Sequence, residues 1–598
     1  VYATILVVLV FIPLFALGGI EGRLFAPIGI AYITSIIASL LVAVTVTPAL
    51  CSYLLPGMKT MEHKGDGPLV RWLKAFDEKY ILHFALQKPK VMIALSALLV
   101  VGSFTLYPLM GKQFLPEFNE GTATINIMSA PGTALAQSNR IGQLAEELLI
   151  SVPEVASTGR RTGRAEQDEH AEGLHYTEID VDFKSTERER EEVLTDIREK
   201  LSQIPGIVFS VGQPISHRLD HLLSGVRAQI AVKIFGESLE ELRIHAATTE
   251  AEMKLVPGIV DLQVEKQVLI PQIRIEIDRE KAKLYGVRVG EINELLETAL
   301  NGSTVSQVLD GQRTYDLIVR LPEESRNSAE VLRALLVDIG NGQRVPLGLL
   351  AKINEAKGPN IINRENVRRR IVISANVSGR DLGSAVREIQ ERLGKSLHLG
   401  QGYSLSLEGQ FQSQQEATRL IALLSLATLA AMFLVLYSHF KSVALVAQIL
   451  LNIPLAFVGA LILTFVLIGS VSIATLVGLI TLAGIASRNT IMMISHYLHL
   501  MEEEGEKFGL PMIVRGSLER LVPVTMTALT AGLGLIPLVL ASGEPGKEIL
   551  YPVAVVILGG LVSSTLLDMA VTPAVFYLFG EKAAKRYLAR KKDHEEFN

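Results

Sequence analysis

Two groups of side chains in this sequence have the types and spacing to hold a metal ion. The first is Glu166, Asp168, Glu169, His170, Glu172 and His175. It runs into a segment where Tyr176, Glu178, Asp180 and Asp182 alternate with Ile179, Val181 and Phe183. Alternation with period two reads as a strand whose polar residues share one face while the apolar residues meet a core. The second group is His217, Asp220 and His221, which fall on one side of a helix if the segment is helical. The zinc-protease motif is absent, because Arg218 stands where its glutamate belongs. Imidazole and carboxylate suit Zn(II), Co(II), Ni(II) and Cd(II), whereas Cu(I) and Ag(I) prefer thioether and thiolate. Residues 112–415 hold six histidines but only two methionines, Met128 and Met253. An acidic run alone is ordinary solvated surface, so the histidines carry this reading.

A second chemistry lies in the apolar runs. The run 471–498 carries Arg488 and Asn489 beside Ser487, and the run 521–541 carries Thr525, Thr527 and Thr530. Ionisable groups inside a membrane are costly and mark proton or ion paths. Arginine keeps its charge in proteins, so Arg488 could serve only as a fixed counter-charge to an acid elsewhere. Asp568, in the last apolar run, is a further acid. The alternative for Arg488 is a side chain that snorkels to the interface.

The elements that position these groups follow from composition. The chain has 598 residues, is 49% hydrophobic and carries a formal net charge of −5. That is too apolar for a typical soluble enzyme, and the small net charge suggests no nucleic-acid partner. The one cysteine, Cys51, lies in an apolar run, so there is no disulfide framework and no Cys-cluster metal site. About 20 apolar residues cross a bilayer as a helix. Eight runs qualify: 1–19, 28–55, 91–110, 420–437, 443–469, 471–498, 521–541 and 551–579. Lys and Arg crowd into 56–90 and the tail after 580, which places both in the cytoplasm. The charged block 112–415 then falls on the far side, the periplasm of a Gram-negative cell. Leu69, Trp72, Leu73, Phe76, Tyr80, Ile81 and Phe84 fall near one stripe of a helix expected to lie flat on the cytoplasmic surface.

Two repeats organise the chain. Ile12-Pro13-Leu14, Pro27 and Val46-Thr47-Pro48-Ala49 recur as Ile536-Pro537-Leu538, Pro552 and Val571-Thr572-Pro573-Ala574. Parallel repeats of membrane helices are a transporter architecture. Three further apolar runs precede the second copy and none precedes the first, so the chain reads as the rear part of a longer polypeptide. In the charged block, Val152-Pro153, Ile204-Pro205-Gly206 and Val256-Pro257-Gly258 recur at a fixed spacing, each after an amphipathic helix pattern. Strand and helix alternating with tight turns predict βαβ units, read as ferredoxin-like α+β subdomains. The expected fold is an α-helical transmembrane bundle plus an α+β periplasmic domain. Its expected divisions are membrane helices over 1–55, a cytoplasmic loop over 56–90, and a helix over 91–111. Porter subdomains follow over 112–271 and 363–415, around an insertion at 272–362. Five membrane helices over 416–580 and a basic tail over 581–598 complete the chain.

Four short motifs sharpen this. They are Phe114-Leu115-Pro116 through Asn119-Glu120-Gly121, Arg161-Thr162-Gly163-Arg164-Ala165-Glu166, Arg218 through Arg227 running on to Ile234, and Gly543-Glu544-Pro545-Gly546-Lys547-Glu548. With the spans and the duplicated halves, they make the chain resemble the resistance–nodulation–division (RND) efflux pumps, in their heavy-metal branch. The resemblance implies a homotrimer in the inner membrane, driven by proton influx, that works with a periplasmic adaptor and an outer-membrane channel. It implies no resident cofactor; a divalent metal ion is cargo and a proton is the coupling ion. The insertion 272–362 would help dock the assembly. Copper and silver members carry a methionine trio in the cleft, and those positions correspond to Asn126, Tyr176 and His221, which points to divalent ions. The expected ligands are His221, Glu178, Asp220 and His175, then His217 and His170. By the same resemblance Arg488, with Asn489 and Thr527, would form the proton relay, its titrating carboxylate lying in the other half, and residues 1–598 alone would not transport. Two alternatives stand: a multidrug pump of the same superfamily, whose cleft would be lined by aromatics, and a membrane-anchored periplasmic hydrolase built on His217, Asp220 and His221.

Overall fold

The computed structural model describes residues 2–55, 66–116, 118–163, 173–184, 188, 190–216, 226, 228–265, 267–340 and 342–595. Among the described residues seven helices are long and apolar enough to cross a bilayer, one fewer than the eight runs expected, because the run 1–19 gives only a shorter helix. They are Glu21–Leu54, Pro89–Leu109, Gln410–Phe440, Val443–Leu467, Ile473–Glu502, Leu510–Leu540 and Leu550–Phe579, with a shorter apolar helix at Thr4–Phe15. Several begin earlier than the apolar run that announces them: Gln410 against 420, Leu510 against 521. Hydropathy marks the stretch at bilayer depth, while backbone hydrogen bonding carries a helix on into the polar layer.

The proline repeat is a repeat of helix pairs. Pro13 lies in Tyr2–Phe15 and Pro537 in Leu510–Leu540; Pro27 lies in Gly19–Val44 and Pro552 in Leu550–Phe579. The copies are not identical. The first breaks at Thr45, between Gly19–Val44 and Val46–Leu54, whereas the second runs unbroken through Pro573. The centre of the bundle is Ile473–Glu502 and Leu550–Phe579, whose apolar windows are 72% and 61% buried, against 6% for Glu21–Leu54. Val443–Leu467 joins them through a backbone approach, since a Cβ on Gly459 would fall 2.1 Å from the Gly559 carbonyl oxygen. Only small residues permit such proximity between membrane helices.

Residues 68–87 form a continuous helical stretch that includes a π-helical turn at Asp77–Leu82. Leu69, Trp72, Phe76, Tyr80 and Phe84 are exposed; the Trp72 and Phe76 rings stack at 5.7 Å, and the Tyr80 ring lies tilted against Phe76 at 5.2 Å. The opposite face packs on protein: Ala85 meets Ala570 and Ala574, and Leu73 meets Leu521, Val524 and Met569. Two faces, one buried and one aromatic and uncovered, fit a helix clamped between the bundle and a lipid surface.

The outer part contains two units with one topology. In the first, Thr122–Met128, Leu135–Ile150, Val155–Thr162, Tyr176–Phe183, Arg190–Leu201 and Val208–Gly212 follow one another as βαββαβ. The strands lie side by side in the order second, third, first, fourth, all antiparallel. In the second unit, Ile230–Phe235, Ile259–Val264, Arg368–Val377 and Ser404–Gly409 repeat that order, with helices Leu239–Lys254 and Leu382–Ser396. Each repeated Pro-containing turn therefore ends the helix of one half-unit. Gly206 and Gly258 supply the positive φ (78° and 85°) that lets the chain reverse there. Residues 269–359 are inserted between the second and third strands of the second unit. The paired strands Leu269–Ile277 and Ala351–Pro359 form their stem, and the hairpin Ser303–Asp310 with Arg313–Val319 projects from them.

Candidate functional site

Strand Tyr176–Phe183 lies between Thr122–Met128 and Val155–Thr162. Ile179 and Val181 are buried in the core, while Asp180 and Asp182 are exposed on the other face. The register sets Arg161 directly opposite Glu178. Its guanidinium pairs with Glu178 and reaches Asp180 at 3.1 Å; Thr124 Oγ1 donates to Asp180 at 2.9 Å. Glu178 and Asp180 on the acidic face therefore already share one cation from the neighbouring strand. The Tyr176 hydroxyl donates to Asn126 Oδ1 in a buried contact, which unites two of the three positions expected in the cleft. His175 lies in the turn entering the strand, with its carbonyl accepting from Ser129 N at 2.8 Å. Among the described residues no three His, Cys, Asp or Glu side chains gather around a metal-sized space. His170, His217, Asp220 and His221 lie outside the described residues.

The approach to the second cluster is well defined. The Glu120 carboxylate accepts from Ile215 N at 2.9 Å and Ser216 N at 3.4 Å, immediately before His217. Glu120 N donates to Gln213 Oε1 at 2.9 Å, and Gln213 Nε2 donates to Phe118 O at 2.6 Å. Asn119 points the other way: its Nδ2 donates to Gly543 O at 2.7 Å and its N to Glu548 Oε1 at 3.0 Å. Two motifs more than 400 residues apart in sequence thus meet at the membrane surface. A cavity of about 170 Å³ opens beside them between the two βαββαβ units, lined by Phe118, Arg190, Arg198, Gln213, Ser216 and Asn376 among others. Asp261 bridges those units. It lies 3.4 Å from Arg198 Nε and accepts from Asn376 Nδ2 at 2.9 Å and Val211 N at 3.3 Å.

Inside the bundle, Arg488 is half-buried and makes no hydrogen bond or ion pair among the described residues. Tyr32 of the Gly19–Val44 helix is its electrostatic neighbour. Asn489 is buried with Oδ1 unpartnered, and Thr527 donates to Pro523 O on its own helix at 2.8 Å. No hydrogen bond joins Arg488, Asn489 and Thr527 among the described residues. The connected polar cluster is elsewhere: Asp568 with Thr490, Thr572 and Asn452. Sequence reading named Asp568 and missed the other three. The pair Asp568 and Thr572, at i and i+4, was the available signal.

Residues 1–580 match the AcrB/AcrD/AcrF family. The chain is 32% identical to the cobalt-zinc-cadmium resistance protein CzcA of Cupriavidus metallidurans, over 97% of this chain and 55% of that one. It is 32% identical to the nickel and cobalt resistance protein CnrA of the same organism, over 96% and 54%. It also superposes on the crystal structure of a heavy metal efflux pump with a TM-score of 0.79 at 28% identity, covering 97% of this chain and 58% of that one. The chain thus spans about half the length of these relatives. A multi-pass inner-membrane protein, it belongs to the AcrB/AcrD/AcrF family and, within the RND superfamily, to the heavy-metal branch.

Proposed function

We propose that this chain serves proton-driven efflux of divalent heavy-metal cations of the Zn, Co, Cd and Ni class. It would act as the inner-membrane component of a tripartite pump: a homotrimer with a periplasmic adaptor and an outer-membrane channel. The observation that carries the choice of cargo is the donor set. Asn126 and Tyr176 are hydrogen-bonded to each other; by the family resemblance they correspond to positions where copper and silver members have thioethers, and oxygen and nitrogen donors favour divalent ions. Glu178, His175 and His170, with His217, Asp220 and His221 beyond the Glu120-anchored turn, supply the candidate ligands. A transport site should keep an open position, because release is part of the cycle. The strand order of the outer units supports reading both as ferredoxin-like, one carrying the insertion that would dock the assembly.

The unpaired, half-buried Arg488 supports proton coupling, because a cation within a membrane-spanning helix is costly without a carboxylate partner. The magnitude suffices. A proton entering down about 100 mV releases roughly 2.3 kcal/mol, and one pH unit adds about 1.4 kcal/mol. Together they sustain a gradient on the order of several hundredfold per proton.

The test is zinc-dependent proton flux across proteoliposomes holding the complete gene product. Zn(II) or Co(II) should move protons, and His221→Ala should raise the half-saturating metal concentration about tenfold. Dye transport with no response to metal would replace this reading with the multidrug one. Metal-independent ester or phosphate hydrolysis would replace it with the hydrolase.

A further inference from the structure

Two buried carboxyls have no role in the reading above. Asp568 is fully buried at the centre of the bundle. Asn452 Nδ2 donates to Thr490 Oγ1 at 2.7 Å, and Thr490 Oγ1 donates in turn to Asp568 Oδ1 at 2.9 Å. Thr572 donates to the same oxygen. The donor chain therefore ends on one oxygen of Asp568. The other, Oδ2, has no partner among the described residues, and neither has Asn452 Oδ1 or the amide of Gln448. Gln448, Asn452 and Thr572 line one cavity of about 10 Å³, room for a single water. Among the described residues no cation acts on Asp568 from the helices packed around it: these offer Gln448 and Asn452, Thr490 and Tyr497, and Thr572. A carboxylate so placed is desolvated, with two threonine hydroxyls on Oδ1 and no partner on Oδ2 among the described residues, whereas a carboxyl protonated on Oδ2 is neutral.

The helix repeat does not carry this acid in both copies. Ala43 stands four residues before Thr47 in the first Val-Thr-Pro-Ala, where Asp568 stands four before Thr572 in the second. Asp77 is the second carboxyl, 3% exposed in the π-helical turn that packs on Leu510–Leu540 and Leu550–Phe579, with Oδ1 unpartnered. Its burial, with Glu78 beside it, raises its pKa to about 7. Fully buried Tyr497 lies within electrostatic range of both acids, its hydroxyl 2.6 Å from Ser517 Oγ. The charged groups near that end of the Leu510–Leu540 helix are engaged otherwise: Arg515 with Glu504, Glu506 and Glu519, and His496 with Glu519 and Arg520. Asp77 sits among Lys74, Lys79 and Lys88, on the side that basic residues assign to the cytoplasm.

We propose that Asp568 is a proton-binding site within this half of the bundle, exchanging with the cytoplasm by way of Asp77, whose turn packs on the helix that carries Asp568. Among the described residues no hydrogen bond joins Asp568 to Tyr497 or Ser517 to Asp77, so water entering between them carries the proton from Oδ2 to Asp77, which passes it on. The route rests on the proton-driven reading and adds a second acid to it.

Infrared titration of the complete gene product in lipid, between about pH 5 and pH 9, tests the route without reading transport, so loss of metal efflux and loss of this site are separable results. A protonated-carboxyl band that titrates in this range and vanishes in Asp568→Asn is expected. Asp77→Asn should slow deuterium exchange of that band at least about tenfold and leave its midpoint in place, and Asp77→Glu should restore the rate. If Asp568→Asn does not assemble, Thr490→Val keeps the acid, removes a donor and should shift the band. A band that never titrates, one unmoved by Asp568→Asn or by Thr490→Val, or exchange indifferent to Asp77→Asn overturns the proposal.

Discussion

Glu178 and Asp180 show what a residue's type leaves unsaid. Alternation placed both on the solvent face of their strand, and they are there, but Arg161 from the next strand already holds them. Any metal must compete with that guanidinium. Arg161→Ala should therefore tighten Co(II) binding about tenfold, read by titration calorimetry, if these carboxylates are ligands. Glu265 makes a different point. It is half-buried beside Arg370 and accepts from Val372 N at 3.1 Å, yet desolvation outweighs these contacts and raises its pKa. A carboxyl whose folded pKa lies above its unfolded one contributes most stability below the unfolded value and loses it as pH rises through the folded value. Glu265→Gln should accordingly raise the Tm of the outer units near about pH 7 and leave it unchanged near about pH 4, as thermal melts at both pH values would show.

Elements here meet through a few small or charged residues. The contact between Gly459 and Gly559 lets Val443–Leu467 and Leu550–Phe579 approach backbone to backbone. Gly559→Val should cost about 3 kcal/mol by forcing them apart and lower the yield of folded protein on size exclusion. Asp261 joins the two outer units through Arg198, Val211 and Asn376. Its backbone has a φ of 52°, a conformation that Asn also tolerates. Asp261→Asn should remove the charge without backbone strain, costing about 2 kcal/mol and raising amide exchange in strands Val208–Gly212 and Ile259–Val264. The helix at residues 68–87 was legible as amphipathic, but its two faces were not. The π-helical turn at Asp77–Leu82 departs from the 3.6-residue period on which the stripe was drawn.

At the scale of the molecule, the junction of Asn119, Glu120, Gly543 and Glu548 ties the loop before Leu550–Phe579 to the turn leading into His217. Glu548→Ala should reduce metal-driven proton flux by about tenfold and leave metal affinity unchanged, because it cuts the tie and no candidate ligand. Equal loss of affinity and flux would mean the junction only holds the fold. By itself the sequence determined seven of the eight expected spans, the duplicated helix pair, the half-unit repeat of the outer part and the solvent face of the acidic strand. Each of these is a periodic pattern within a continuous segment, and periodicity survives without coordinates. Only the tertiary structure decided which charges are already paired, which orphaned acid shares a donor chain with Thr490 and Asn452, and which distant motifs touch. Those facts depend on register and helix packing, where side chains from separate segments converge and local pattern carries no trace of the partner.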